Sequence, residues 1–141
     1  MIRDPLVLRQ PDGTAYDGTN SDNEGLAVLP DGNYLVSSET EPSIRIYGRD
    51  GVQKASLPVP ARFAVTGTTP EGQATSNATP EGLTISRCGR EIVAAMEGAL
   101  SGDVSACSPG SVAAAIMPYG SGTGGAAAAE GVPALVRAPR R

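Results

Sequence analysis

Histidine is absent from this chain, and so is tryptophan. Without an imidazole, neither a complete Ser-His-Asp or Cys-His site nor a His-ligated metal centre can be assembled from these residues. Aromatic area is limited to Phe63 and four tyrosines, and much of the apolar fraction is alanine. At roughly 25 cal/mol per Å² of buried apolar surface, such a core stabilises weakly. Lys54 is the single lysine, and the formal charge is −4. That balance excludes a nucleic-acid binder, whose affinity rests on clustered Lys and Arg against phosphates. Arg137, Arg140 and Arg141 do cluster near one end, as ordinary solvated charges. Cys88 and Cys107 allow at most one bridge, and sequence alone leaves their pairing open. No apolar run approaches the roughly 20 residues that span a bilayer. Met1 to Pro5 leads into no apolar leader segment, so the chain reads as soluble, or as a piece of something whose leader lies elsewhere.

What is abundant is turn chemistry, with 18 Gly and 12 Pro. These argue against long helices and for short strands joined tightly. Pro5 to Arg9 reads as one strand, ended by Gln10-Pro11-Asp12-Gly13. Gly25 to Leu29 is apolar at every side chain, which predicts a strand buried on both faces. Pro30-Asp31-Gly32-Asn33 turns it back into Tyr34 to Ser38. Ser43 to Tyr47 alternates, with Ile44 and Ile46 expected inward and Arg45 and Tyr47 outward. Asp50-Gly51 is a hairpin signal, and Val52 to Leu57 follows it. Four antiparallel strands in about 35 residues is the size of one propeller blade.

A weaker copy follows a long Thr- and Gly-rich linker, Phe63 to Thr79. Glu81 to Ser86 and Glu91 to Met96 form a second hairpin around Arg87-Cys88-Gly89-Arg90. Glu24-Gly25-Leu26 aligns with Glu81-Gly82-Leu83, Gly32 with Gly89 and, after one extra turn residue, Glu39 with Glu97. Beyond Asp103 the chain turns to Ala, Gly, Ser and Pro, with Ala113 to Met117 and Ala126 to Ala129 weakly helical by propensity. The third and fourth strands of a second blade are missing there, and the composition suits a frameshifted end of GC-rich coding sequence. The chain therefore divides into a lead-in strand and loop (1–21), a partial domain (22–103) and a low-complexity tail (104–141). The expected fold is all-β: a β-propeller-like fragment of about one and a half four-stranded antiparallel blades, with a disordered or weakly helical tail.

Acids gather at strand entrances and exits: Asp22, Glu24, Glu39, Glu41, Glu81, Glu97 and Asp103. Where first strands line a channel, carboxylates repeated at their ends converge and can hold a hard cation; Ca²⁺ takes roughly 6–8 oxygen ligands. The same glutamates can instead accept backbone N–H bonds at loops or pair with Arg. Arg45, Arg49, Lys54 and Arg62 are candidates for an anionic substrate, or simply solvated charges. Ser37 and Ser38 lack an adjacent base and are weak nucleophiles.

On Ser21-Asp22-Asn23-Glu24-Gly25-Leu26-Ala27, Pro30-Asp31-Gly32, Val36-Ser37-Ser38-Glu39, Ser43 to Tyr47 and Leu57-Pro58-Val59-Pro60, the chain resembles the phytase-like, "esterase-like activity of phytase" family. Pro80-Glu81-Gly82-Leu83 and Ala95 to Leu100 extend the resemblance. It implies a β-propeller-like fold in periplasmic or extracellular proteins longer than this one. The implied activity is hydrolysis of a small phosphoester or ester, with Ca²⁺ as the cofactor. From the resemblance, Asp22, Glu24, Glu39, Glu81 and Glu97 would be channel or metal residues, with the catalytic residue itself unassigned; Arg45 is the substrate-binding candidate on its charge alone. An incomplete ring would leave sheet edges free to associate. A non-catalytic ligand- or protein-binding propeller, or a truncated chain with no activity of its own, are the alternative readings.

Overall fold

Two antiparallel sheets stack face to face. The computed structural model describes residues 5–102 and the backbone of a strand at 114–118. The first sheet is a meander of β1 (Asn23–Val28), β2 (Tyr34–Ser38), β3 (Ser43–Tyr47) and β4 (Gln53–Leu57), in that spatial order. The second contains β5 (Pro80–Ile85), β6 (Glu91–Met96) and β7 (Ala114–Pro118), again in chain order. A single 3₁₀ turn, Ala61–Phe63, is the only helical element among the described residues. The all-β expectation holds, but the described sheets close no ring.

The two expected hairpins form where their turn residues stand. Gly32 and Gly89 occupy equivalent positions, with φ of +83° and +70°, where a side chain would be strained. The third strand of the second sheet is a correction. Ala113 to Met117 was expected to be weakly helical, yet Ala114–Pro118 pairs with β6 from Ala95↔Ala114 to Glu91↔Pro118. A five-residue apolar run carries no decisive period, and the open edge of β6 offers backbone partners that an isolated short helix lacks. The rest of 104–141, including Cys107 and the other Ala-rich stretch, lies outside the described residues, while Cys88 is a free, exposed thiol.

The core lies between the sheets. Leu29, Leu35, Ile44, Ile92 and Ala94 are its buried centre, flanked by Ala27, Ile46, Leu57, Leu83 and Ile85. Register places Ala27 opposite Leu35 on one sheet, and Leu83 opposite Ala94 on the other. The linker is packed rather than free. Phe63 and Ala74 join Met96 and Leu100 in a second apolar cluster, and Ala74 donates its N–H to Ala64 O at 3.0 Å.

Three further expectations are corrected. β1 is not buried on both faces: Leu26 and Val28 are 63% and 57% exposed. Only the Ala27 side meets the second sheet; on the other side Val36, Arg45 and Tyr47 are covered while β1 is left out. That cover comes from the lead-in. Pro5 to Arg9 is no strand: Arg9 alone bridges, antiparallel to Ala15 and parallel to Val52, the latter with Arg9 N donating to Gly51 O and Gln53 N donating to Arg9 O. Its neighbour Tyr16 then packs edge-on against Tyr47, ring centroids 6.1 Å apart. Arg45 and Tyr47, expected outward, are consequently buried, at 7% and 0% exposure.

Candidate metal centre

Both sheets begin with the same irregularity. In β1, Asn23 pairs with Ser38 and Leu26 with Val36, so Glu24 and Gly25 share one partner position, that of Ser37. In β5, Pro80 pairs with Met96 and Gly82 with Ala95, which leaves Glu81 as the extra residue. These are β-bulges at aligned positions, and a bulge re-aims the side chain it carries. The N–H that the first bulge removes from the ladder is not orphaned: Gly25 N donates to Ser37 Oγ at 2.9 Å. Ser38 Oγ does the same for Asp22 N at 3.0 Å. The two serines are thus occupied as backbone acceptors.

The exits of the hairpins are fastened to the entrances by a second repeated device. Glu39 N donates to Asp22 O at 2.9 Å, and Glu97 N donates to Thr79 O at 3.0 Å. Thr79 stands where the first unit has Asp22, so the second unit lacks one acid. Each exit glutamate is thereby held beside its own entrance glutamate.

The backbones of β1 and β5 then bring the two units together. At Gly25 there is no room for a side chain: a Cβ would lie 2.9 Å from Leu83 N and 3.0 Å from Glu81 O. The result is a constellation of five carboxylates. Oxygen atoms of Asp22, Glu24 and Glu39 lie within 4.8 Å of one another, and so do those of Glu39, Glu81 and Glu97. Glu39 belongs to both trios. It is 7% exposed, whereas the other four acids face solvent. Its Oε1 accepts from Thr79 N at 3.3 Å. Burial raises the Glu39 carboxyl above its ordinary range, the Thr79 N–H opposes the rise, and the charges of Glu24, Glu97 and Glu81 add to it. Among the described residues no basic side chain pairs with any of the five; the ion pair present is Arg45–Glu41, at 3.8 Å. An all-oxygen anionic set is the donor chemistry that a hard divalent cation requires.

Arg45, the substrate-binding candidate, has its guanidinium engaged beside the cluster's first segment. Its guanidinium lies 4.8 Å from the centre of the Tyr16 ring and donates through Nη1 to Ser21 Oγ at 3.1 Å. Ser21 Oγ in turn donates to Asn23 Oδ1 at 2.7 Å. Arg45 therefore fastens the segment that carries Asp22 and Glu24. Arg49 also serves the fold, with Nη2 donating to Asp31 O at 2.9 Å.

Sequence reasoning singled out all five acids, four from aligned positions and Asp22 from its place at a strand entrance, but missed Thr79 and the roles of Ser37 and Gly25. Thr79 was visible in the alignment as the partner of Asp22. The pairing of one unit's glutamate with the other's entrance needs three dimensions.

No curated protein and no solved structure matches this chain. The family model described as "Phytase-like: Esterase-like activity of phytase" matches residues 1–136. The bulged Glu-Gly-Leu entrances and their exit glutamates, first met as a sequence resemblance, thus lie in a match covering nearly the whole chain, which belongs to the phytase-like family.

Proposed function

We propose that the five-carboxylate cluster binds a divalent cation, Ca²⁺ foremost, and that the chain serves hydrolysis of a small phosphoester or ester at that site. The observation that carries this reading is Glu39: a buried carboxylate shared by two acid trios, with no cationic side chain paired to it among the described residues. Retaining such a group costs stability unless something positive compensates it. Asp22, Glu24, Glu39, Glu81 and Glu97 would hold the ion, and a bound cation supplies polarisation of the ester oxygen and acidification of water. Thr79 N–H keeps the Glu39 carboxylate oriented, and the two bulges keep Glu24 and Glu81 aimed at it.

The stacked sheets, each bulged at its first strand, support reading them as consecutive propeller blades. Family membership supports a hydrolase-like role and a periplasmic or extracellular setting. No helix among the described residues is long and apolar enough to cross a membrane.

Calorimetric titration of the purified chain with CaCl₂, alongside turnover of p-nitrophenyl phosphate and p-nitrophenyl acetate with and without calcium, tests the proposal. Saturable calcium binding lost in Glu39→Gln, with calcium-dependent release of p-nitrophenol, is the expected result. Absence of calcium binding would overturn the metal reading. Binding without turnover of either ester would favour a non-catalytic ligand module.

A further inference from the structure

The two sheets use opposite faces to meet. The first contributes Ala27, Leu35, Ile44 and Ile46; the second contributes Leu83, Ile85, Ile92 and Ala94. In the repeat alignment, Leu83 and Ile85 correspond to Leu26 and Val28, and Ile92 and Ala94 to Tyr34 and Val36. Register confirms that these four share one face, since Leu26 pairs with Val36 and Val28 with Tyr34. The face by which the second sheet packs on the first is therefore present on the first sheet too, where Val36 is buried and Tyr34 half-buried but the β1 side chains stand out. Leu26 and Val28 are its exposed residues. Conversely, Gly82, Thr84, Val93 and Ala95 share the other side of the second sheet, where Thr84 is exposed and the other three are half-buried. They correspond to Gly25, Ala27, Leu35 and Ser37, which line the receiving side of the first.

We infer that the Leu26/Val28 face of one copy docks on the Gly82/Thr84/Val93/Ala95 face of a second copy, head to tail. The contact repeats between chains the stacking already present within one. It is heterologous: each copy offers one face of each kind, so association runs on into rings or open chains. The outer edge strand β4 is a poorer route to self-association, since Gln53, Lys54 and Ser56 stand along it and an exposed Lys blunts edge pairing. The inference uses only the repeat and the sheet faces, so its failure leaves the cation reading untouched.

Sedimentation velocity on the full 141-residue chain tests it, with two variants altered on exposed side chains. Leu26→Arg/Val28→Arg removes one face and Thr84→Arg the other. The wild-type chain is expected to form dimers and larger species as concentration rises. Each variant alone, with a circular dichroism spectrum like wild type, is expected to stay monomeric. An equimolar mixture of the two is expected to restore a dimer and stop there, because one intact face of each kind remains. A wild-type chain monomeric throughout, a variant that still associates alone, or a mixture that stays monomeric would each overturn the inference.

Discussion

Glu39 and Thr79 hold each other across the two sheets: Thr79 N donates to Glu39 Oε1 at 3.3 Å, and Thr79 Oγ1 donates to Glu39 O at 3.5 Å. The residue that leaves the first hairpin is thus tied to the residue that enters the second. This tether explains why an acid can be buried among other acids. The fold fixes Glu39 through its backbone and one N–H, and no basic side chain among the described residues pairs with it.

That charge makes stability pH-dependent. The native carboxyl of Glu39 titrates above the ordinary 4.5, so the native state keeps a proton that the unfolded chain has already released. Stability from this group is highest below 4.5, falls as pH rises through the raised native value, and stays reduced above it. Glu39→Gln keeps an acceptor for Thr79 N but carries no charge. In EDTA at pH 7.5 the variant should melt above wild type by about 2–5 °C, and the gap should close at pH 4. Thermal melts at the two pH values check this; a variant that melts lower at both would show that the carboxylate is compensated.

Gly25 and Gly82 align in sequence but differ in surroundings. A Cβ at Gly25 meets Ser37 Oγ at 2.7 Å and the β5 backbone at 2.9 Å, whereas at Gly82 the nearest atom is Ala95 Cβ at 3.5 Å. Backbone cannot yield as a flexible side chain can, so Gly25→Ala should cost about 1–3 kcal/mol in urea unfolding. Gly82→Ala should cost less than about 0.5 kcal/mol, within the usual range for substitutions away from tight packing. Equal costs at the two sites would show that β1 and β5 do not approach at Gly25.

The strands were legible because their turns are. Pro30-Asp31-Gly32, Asp50-Gly51 and Gly89 punctuate short apolar runs, and the strands appear between them. The four glutamates were legible because they recur at aligned positions, and Asp22 because it stands at a strand entrance. Which face of each strand is buried was not, because Leu26, Val28, Arg45 and Tyr47 depend on what the lead-in covers. An alternating pattern reports two faces without saying which is outside, and a nonlocal segment reversed the expectation for Arg45. β7 was illegible because its partner edge decides it, not its own period.

Arg45 separates a structural from a substrate-binding role. Its stacking on Tyr16 and its bond to Ser21 both require a planar guanidinium. Losing the stacking costs about 0.5–2 kcal/mol and the hydrogen bond about 1 kcal/mol. Arg45→Met should therefore lower stability by about 1–3 kcal/mol in the absence of any ligand, and Arg45→Lys should recover only part of it. Urea denaturation of both variants is the measurement. Wild-type stability in Arg45→Met would place the side chain's purpose in binding.

The two acid trios share Glu39, and this predicts an order among neutralising substitutions. Asp22→Asn and Glu24→Gln touch one trio, Glu81→Gln and Glu97→Gln touch the other, and Glu39→Gln touches both. If the cluster holds calcium as one site, each outer substitution should weaken binding by about tenfold, or about 1.4 kcal/mol. Glu39→Gln should weaken it further. The same variant would then be more stable than wild type without calcium yet gain less from it, because ligand stabilisation scales with the logarithm of occupancy. Melting wild type and Glu39→Gln with EDTA and with saturating calcium reads out both effects in one experiment. A crossing of the two orders is the signature of a carboxylate kept for an ion. Calcium raising both midpoints equally would place the ion away from Glu39.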